Sequence, residues 1–289
     1  RDRVSRTMLG SIAFIAPSFD DQKVIAAFLD RETARIDQLI AKKERQIELL
    51  QEKRSALISH AVTKGLNPKA KMNDLGIEWL GEIPEHWEVI PVKQVSTRIQ
   101  TGCTPPTTKE HYYEDGTIPW YGPGSFEDNL ILSKPVKLIN ESAIKEGAAR
   151  LFAAESIMVV SIGATIGKIG YLDRPASSNQ QITAITPDLD RVTGKFIAYQ
   201  LKRLEPVLRG IAPSTTLPIM DQQEVGSLLI AFPDINEQKV IAKYIDNETS
   251  KIDGLMGKIY NSMEKFREYR TALISAAVTG KIDVREEVA

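Results

Sequence analysis

A long segment of this chain occurs twice, and the repeat constrains the fold more than any other feature. Residues 22–63 align without a gap to residues 238–279 at a constant offset of 216 positions, and roughly half of the paired residues are identical. The segments that lead into the two copies, 10–21 and 226–237, share a Gly-Ser pair and a later proline. Two copies separated by a large unrepeated insert predict a pseudo-symmetric scaffold that holds other parts at fixed distances.

Both copies predict long helices. Neither contains proline, and both are rich in Ala, Leu, Glu, Lys, Gln and Arg, which favour helix. At 1.5 Å per residue, each 42-residue copy gives a helix about 63 Å long. Apolar residues recur in steps of seven, which is typical of paired helices: Ile36, Leu50 and Leu57 with Ile40, Ile47 and Ala61, and then Ile252, Phe266 and Leu273 with Met256, Met263 and Ala277. A dimerisation stalk and an antiparallel pair within one chain are both compatible with this pattern.

The ends of both helices carry ordinary signals. Asp20 and Asp21 are candidates to cap the first helix, and Asp234 or Asn236 the second. Gly65 and Gly280 follow the last helical residues, where a left-handed backbone commonly ends a helix.

Composition excludes several classes of protein. A length of 289 residues predicts about two domains, and 37 Lys and Arg residues are balanced by 38 Asp and Glu residues, so the overall charge does not indicate a nucleic-acid binder. The single cysteine, Cys103, excludes a disulfide framework or a cysteine-rich metal site and favours a cytoplasmic location. No apolar run approaches the roughly 18 residues of a membrane span, so no membrane association is expected.

Residues 65–237, between the copies, predict a mixed α/β domain. Short apolar runs predict strands and one amphipathic run predicts a helix: the strands at Ile118–Trp120, Ser156–Ser161, Ile169–Leu172 and Ile182–Thr186, and the helix at Thr193–Leu208. Three polar segments, 101–120, 171–181 and 210–216, predict loops. Their Thr, Ser, Asn and Gln side chains suit hydrogen-bonded readout of DNA, but they are equally typical of ordinary exposed loops.

The charge of this domain argues against unaided DNA binding. It contains 16 Lys and Arg residues against 21 Asp and Glu residues, a net charge of −5, whereas neutralisation of phosphates supplies most of the affinity of a DNA-binding protein. Contact with DNA would therefore depend on a local basic patch or on partner subunits. The candidates for such a patch are Arg150, Lys168, Lys202, Arg203 and Arg209.

No catalytic motif is complete. Gly163–Lys168 resembles a phosphate-binding loop but has three residues between its glycines instead of four, and Ile169 stands where a Ser or Thr is needed. Residues 233–239 resemble a PD…ExK nuclease motif but are better explained as a helix cap. The three histidines have no metal-ligand spacing. The sequence therefore predicts a chain that is not an enzyme, with no catalytic and no metal-binding residues.

Four landmarks together resemble the specificity (S) subunit of type I restriction–modification systems. Leu75–Trp87 is similar to the entry of that family's target recognition domain. Gly116–Trp120, Ile157–Lys168 and Asn179–Gln181 resemble its internal pattern, and Pro233–Gln238 resembles its exit. The helical repeats, with their shared ALIS and AVT endings, resemble its two conserved regions.

The resemblance implies a mixed α/β target recognition domain plus two long antiparallel coiled-coil helices related by the internal repeat. It implies that each recognition domain reads one half of a bipartite sequence in double-stranded DNA, and that the helices set the distance between the halves. Two methyltransferase (modification) subunits would dock on the helices and supply S-adenosylmethionine. Restriction and translocase subunits would add ATP- and Mg-dependent activities. This chain itself would hold no cofactor.

The family pattern has two complete recognition domains, and only one is evident here. On this pattern residues 1–21 are the exit of a first recognition domain, 22–64 the first spacer helix, 65–237 the complete recognition domain, and 238–289 the second spacer helix and tail. A chain that is natively this short could self-associate and would then read a palindromic target. A piece of a longer subunit is the alternative.

The expected DNA contacts are polar loop residues of the recognition domain, because Asn and Gln pair with adenine and Lys with guanine. They are Thr107, Thr108, Lys109, Tyr121, Ser125, Lys168, Ser178, Asn179, Gln180, Ser214 and Thr215. For Gln180 and Gln181, satisfaction of hydrogen bonds within the domain is a competing interpretation. A helical adaptor that binds only protein, and an enzyme in its own right, are the competing functions.

Overall fold

The structure is a computed structural model and describes residues 16–211 and 219–285. It contains two long helices, an α/β domain between them and several short connecting turns. The helices are α1 (Phe19–Lys64), α2 (Glu141–Lys145), α3 (Gly194–Arg203), α4 (Glu205–Ile211), α5 (Gln222–Ser227) and α6 (Ile235–Val278). The strands are β1 (Met72–Asp74), β2 (Glu82–Pro84), β3 (Glu88–Pro91), β4 (Ser96–Thr101), β5 (Ile118–Tyr121), β6 (Lys137–Ile139), β7 (Ile157–Val160), β8 (Ile169–Tyr171), β9 (Ser177–Ser178), β10 (Ile182–Pro187) and β11 (Leu229–Phe232).

The chain divides into two units, and each long helix passes from one unit into the other. One unit is formed by α1 as far as Lys53 together with the chain from Ser250 onward. The other unit is Arg54–Thr249, which contains the α/β domain, the end of α1 and the beginning of α6.

Cap residues define where the two long helices begin. The Ser18 hydroxyl oxygen accepts from the Asp21 amide at 3.2 Å and the hydroxyl donates to the Asp21 carboxylate at 2.6 Å, so Ser18, not either aspartate, is the cap of α1. Asp234 caps α6 as expected, because its carboxylate accepts from the amides of Asn236 and Glu237 at 2.8 and 3.1 Å. Both glycines predicted to end the helices have a left-handed backbone, with φ of 70°.

The heptad residues of both helices are shielded from solvent. Ile36, Ile47, Ile252 and Met263 are buried, and the other members of the two series are buried or half-buried. In the first unit, Phe28 packs with Ala277. Two ion pairs join the helices there, between Asp37 and Arg270 at 3.1 Å and between Glu44 and Arg267 at 3.7 Å.

The centre of the second unit is an antiparallel four-stranded sheet in the order β4-β10-β7-β8. Strand β7 is buried along its whole length because its alternate side chains enter two different apolar clusters. Ile157 and Val159 pack with helix α3, and Met158 and Val160 pack with Tyr121 and Phe152. The predicted strands at 118, 157, 169 and 182 are all present, which confirms a mixed α/β domain.

Two details of the sequence prediction are wrong. The helix expected at 193–208 ends at Arg203, and a second helix begins at Glu205. Pro206 explains the break, because it has no N–H to donate and its ring clashes with the preceding turn. The expected loop at 171–181 contains strand β9, which pairs in parallel with β5 through Trp120 and Tyr121.

Buried polar contacts attach the domain to the adjoining helix segments. The side-chain amide of Gln200 is buried and donates to the carbonyls of Val62 and Ala231 at 2.6 and 2.9 Å. The indole of Trp87 donates to Glu237 at 3.1 Å, at the first turn of α6. Within this unit, the α/β domain and both helix segments therefore form one packed body.

Candidate nucleic-acid interface

A polar turn, Asn179–Gln181, lies between strands β9 and β10. The Asn179 side-chain oxygen accepts from the Gln181 amide at 3.0 Å, and its nitrogen donates to the Gln181 side-chain oxygen at 3.0 Å. Gln181 also donates to the Ile162 carbonyl at 3.5 Å. Two of the three consecutive carboxamides are thus used to build the turn, and the third, Gln180, is exposed.

The segment after β4 packs directly against this turn. The amide of Gly102 donates to the Ile182 carbonyl and that of Cys103 to the Ser178 carbonyl, each at 2.9 Å. A Cβ atom at Gly102 would overlap the backbone of Ser178 and Asn179, so this close approach requires glycine. Beyond it, the Thr104 hydroxyl donates to the side-chain oxygen of Gln180. We call the segment 101–104, the turn 179–181 and Gln222, described below, the polar edge.

The rest of the long loop presents three of the predicted contact residues to solvent. Thr107, Thr108 and Lys109 are exposed. The Lys109 ammonium donates to the Tyr112 hydroxyl at 3.2 Å, and that hydroxyl donates to Glu146 at 2.8 Å. Buried Tyr112 therefore anchors the loop through Lys109, while Thr107 and Thr108 remain accessible.

Four other predicted contact residues lie in the interior. Tyr121 is 1% exposed and donates to the Leu132 carbonyl at 2.7 Å, and burial raises the pKa of its hydroxyl. The hydroxyls of Ser125 and Ser178 are buried, and no hydrogen-bond partner is found for either among the described residues. Asn179 is 9% exposed and is engaged within the turn. These side chains shape the edge but are not accessible to a ligand in this conformation.

The five predicted basic residues do not gather in one patch. Lys168 donates to the Phe126 carbonyl at 2.8 Å. Lys202 and Arg209 both pair with Glu205, at 2.9 and 4.0 Å, so a carboxylate neutralises part of this group. Arg150 instead donates to the Thr101 carbonyl at the polar edge.

Arg203 is half-buried and its guanidinium turns toward the domain rather than toward solvent. It donates to the Trp79 carbonyl at 2.6 Å, and removal from solvent lowers the pKa of its guanidinium to about 10. Ser214 and Thr215 lie outside the described residues, so their expected role stays a prediction.

Sequence reasoning missed three residues of the polar edge: Thr101, Thr104 and Gln222. Gln222 donates its side-chain amide to the Thr101 hydroxyl at 2.9 Å, across 121 positions of sequence. Thr101 is opposite Thr183 in the β4–β10 register. No linear motif marks these residues, because only the pairing of the strands and the return of the chain at Met220 bring them together.

Residues 16–211 and 219–285 contain no group of three or more His, Cys, Asp or Glu side chains placed to hold a metal ion. In the same ranges no helix is both long enough and apolar enough to cross a membrane.

An α/β domain with an exposed polar edge, attached to long helices, is the architecture expected of a specificity subunit. Residues 84–265 match the type I restriction modification DNA specificity domain, and the chain therefore belongs to that family. This match confirms the resemblance noted in the sequence.

Individual relatives agree with the assignment. The chain is 23% identical over 288 residues to a putative type I restriction enzyme MjaX specificity subunit of Methanocaldococcus jannaschii, covering 98% of this chain and 62% of the relative. Its fold is similar to a chain from a structural study of complex assembly and conformational transition in a type I R-M system, with a TM-score of 0.71, 18% identity, and coverage of 92% of this chain and 61% of that one.

A second solved structure is also similar. The HsdS subunit from Thermoanaerobacter tengcongensis matches with a TM-score of 0.53 and 17% identity, over 92% of this chain and 60% of that chain. The chain thus spans about three fifths of the length of each of these three proteins.

Proposed function

We propose that this chain is a non-catalytic DNA-specificity component of a type I restriction–modification complex, and that its α/β domain reads one half of a bipartite DNA target. The observation that carries the proposal is the polar edge, where Gln180 is exposed and oriented by Thr104 in a member of a DNA-specificity family. Carboxamides and hydroxyls are the groups that form directional hydrogen bonds with base edges.

The role proposed for each candidate residue depends on whether its side chain is exposed. Gln180, Thr107, Thr108 and Lys109 are accessible and are proposed to contact DNA directly. Lys168, half-buried, is proposed to contact the phosphate backbone, and Ser214 and Thr215 keep the role expected from the sequence. Tyr121, Ser125, Ser178 and Asn179 are proposed to fix the shape of the edge.

Affinity for DNA is proposed to come largely from partner subunits. The recognition domain has a net charge of −5, and within it Lys202 and Arg209 share an acidic partner. A protein with this charge neutralises few phosphates, so the isolated chain should bind DNA weakly. Two methyltransferase subunits, which bring S-adenosylmethionine, would complete a clamp around the duplex. Restriction and translocase subunits would add the ATP- and Mg-dependent steps.

The long helices are proposed to form an antiparallel coiled coil that fixes the spacing between half-sites and docks the methyltransferase subunits. Their heptad residues are shielded, and their mutual contacts support the antiparallel direction. Phe28 packs with Ala277, Asp37 pairs with Arg270, and Glu44 pairs with Arg267. Later residues of α1 therefore contact earlier residues of α6, as they do in an antiparallel pair.

The second half-site would be supplied in one of two ways. A longer form of the subunit would carry a second recognition domain, and a self-associating short form would contribute a second copy of this one. Light scattering of the chain at increasing concentration distinguishes them, because only the second gives a dimer. A dimer predicts a palindromic target, and a longer form predicts two different half-sites.

The test of the proposed function is a binding selection. The chain is reconstituted with its methyltransferase subunits, and the complex selects duplexes from a random library. Enrichment of one bipartite sequence supports the proposal, and Gln180→Ala should change the preference while the protein stays folded. A complex that assembles but enriches no sequence would overturn it and favour a helical adaptor that binds only protein.

A further inference from the structure

The polar edge carries two hydroxyl–carboxamide pairs that are oriented in opposite senses. In the first pair, Thr104 donates to the side-chain oxygen of Gln180, so the oxygen faces the loop and the NH2 group points away from it. In the second pair, the Gln222 nitrogen donates to Thr101, so the NH2 group faces the strand and the oxygen points away. Both glutamines are exposed, and both are fixed by residues of the same short segment, 101–104.

A chain of hydroxyls sets the direction of the second pair. Ser161 donates to the Gln181 main-chain carbonyl at 3.3 Å, and a carbonyl can only accept. The Ser161 oxygen is then available to accept a hydrogen bond from the Thr183 hydroxyl at 2.9 Å. The Thr183 oxygen in turn accepts from the Thr101 hydroxyl at 3.5 Å. The Thr101 oxygen is left to accept from Gln222, which turns the Gln222 oxygen outward. Thr183 and Ser161 are buried, so water does not compete for their hydroxyl groups.

The backbone beneath Gln222 is also fixed. Asp221 accepts from the Glu224 amide at 2.8 Å, and Glu224 accepts from the Asp221 amide at 2.7 Å, which closes a capping box around the residue. These two carboxylates flank Gln222 and repel phosphate. The outward carboxamide oxygen of Gln222 is an acceptor, and a phosphate oxygen has no proton to donate to it. Both this mismatch and the repulsion by the carboxylates disfavour contact with phosphate.

We infer that the two glutamines read bases of opposite hydrogen-bonding character: Gln180 donates to a base acceptor, and Gln222 accepts from an exocyclic amine. The acceptors available in the major groove are purine N7, guanine O6 and thymine O4, and the amines are adenine N6 and cytosine N4. Thr104, Thr101 and Thr183 are positioning residues, since each acts through a glutamine. This inference rests on the proposed function and deepens it.

The test is a matched pair of isosteric substitutions in the reconstituted complex, Gln180→Glu and Gln222→Glu. Each adds one negative charge to the same edge, so the general loss of affinity is shared. Gln180→Glu replaces the outward NH2 group by oxygen and should reduce discrimination at one base pair by about tenfold. Gln222→Glu keeps an outward oxygen, and the Thr101 hydroxyl can rotate to donate to the inner oxygen, so this variant should lose clearly less discrimination at its base pair than Gln180→Glu does. Equal loss of discrimination in both variants, or the reverse order, would overturn the inference.

Positioning is tested by removing the hydroxyls without changing side-chain shape. Thr104→Val should relax preference only at the position read by Gln180, and Thr104→Ser should restore it. Thr183→Val should relax preference only at the position read by Gln222. A uniform loss at all positions in a folded variant would indicate a structural role instead and contradict the inference.

Failure of this inference is distinguishable from failure of the proposed function. If the unsubstituted complex selects no sequence, the proposed function fails. If it selects a sequence but Gln180→Glu does not lose more discrimination than Gln222→Glu, only the assignment of donor and acceptor fails. Circular dichroism and thermal unfolding of each variant show which of them are folded before discrimination is compared.

Discussion

The hydroxyl of Tyr199 donates to the carboxylate of Asp246 at 2.6 Å, which ties helix α3 of the α/β domain to helix α6. Lys195 pairs with the same carboxylate at 2.7 Å, one turn earlier on α3. Asp246 belongs to the repeat and corresponds to Asp30 of the first copy, which is exposed. The repeat position therefore has a defined use in the second copy, where it attaches the α/β domain to the adjoining helix.

Replacement of Tyr199 by Phe should destabilise the protein and also change how stability depends on pH. Burial, followed by the hydrogen bond to Asp246, raises the pKa of Tyr199 above its ordinary value of 10. Its contribution is therefore complete below pH 10 and is lost as pH rises, because the unfolded chain releases the phenolic proton first. At pH 8 we expect Tyr199→Phe to cost about 2 kcal/mol, the worth of a hydrogen bond to a charged group.

The difference in free energy of unfolding between the unsubstituted protein and Tyr199→Phe should decrease above pH 10, by up to about 1.4 kcal/mol for each pH unit. Urea unfolding at pH 8, 10 and 11 measures this. Tyr171, whose pKa burial raises to about 12, is present in both proteins, so its effect cancels in the comparison. If this difference in free energy of unfolding stays constant from pH 8 to 11, the pKa of Tyr199 is the same in the folded and the unfolded protein.

Gln200→Leu should be among the most destabilising substitutions in the domain. The carboxamide of Gln200 is 1% exposed and bridges the carbonyls of Val62, at the end of α1, and Ala231, in β11. Leucine keeps the apolar volume but leaves two buried acceptors without a donor, at a cost of about 3 kcal/mol. Urea unfolding measures the loss, and Gln223→Leu, at an exposed position of α5, is the control and should change stability by less than about 0.5 kcal/mol.

The parts of the fold that the sequence predicted are those whose signal is local. Runs such as Ile157–Val160 are apolar throughout, so a buried strand is the natural expectation, and the long repeats exclude proline over their whole length. Strand β9 was missed because Ser177 and Ser178 have no apolar signal and become strand only by pairing with β5. The break at Pro206 was a local signal that the periodicity of the flanking residues obscured.

The candidate site divides in the same way. Gln180 is exposed in a polar turn, where composition placed it. The neighbouring Asn179 and Gln181 have the same chemistry but bond to each other, and nothing in the order of three carboxamides shows which two will do so. Gln222 joins the edge only because the chain returns at Met220, whose amide bonds to Ser161, and this return is a tertiary property.

Gly102→Ala should disrupt the polar edge, and Gly124→Ala provides a matched control. A methyl group at residue 102 would overlap the backbone of Ser178 and Asn179, which cannot move without breaking strand β9. At Gly124 no atom beyond the adjacent residues of the chain lies within 4 Å of the added carbon. We expect Gly102→Ala to cost about 2 kcal/mol through overpacking and Gly124→Ala to change stability by less than about 1 kcal/mol. Thermal unfolding of the two variants measures the difference, and equal melting temperatures would contradict the close approach.

Cys103 provides a direct probe of whether the polar edge meets DNA. It is the only cysteine in the chain, is half-buried, and lies between Gly102 and Thr104, with its amide bonded to Ser178 and its carbonyl to Trp120. A duplex bound across the edge would cover the thiol. We expect N-ethylmaleimide to modify Cys103 several-fold more slowly in the methyltransferase complex when the selected duplex is bound than when a scrambled duplex is present at the same concentration.

Mass spectrometry of the peptide that contains Cys103 gives the rate without interference from cysteines of the partner subunits. Denatured protein should react equally fast with either duplex, which controls for effects of DNA on the reagent itself. The Gln180→Ala complex should lose the difference between the duplexes at concentrations where the unsubstituted complex is saturated, since protection depends on sequence-specific seating. An unchanged Cys103 rate in a complex that footprinting shows to be fully bound to its target would place the DNA on another face of the domain. Gln180 and Gln222 are bonded to Thr104 and Thr101, on either side of Cys103, so the thiol cannot remain open to the reagent while both glutamines contact base edges.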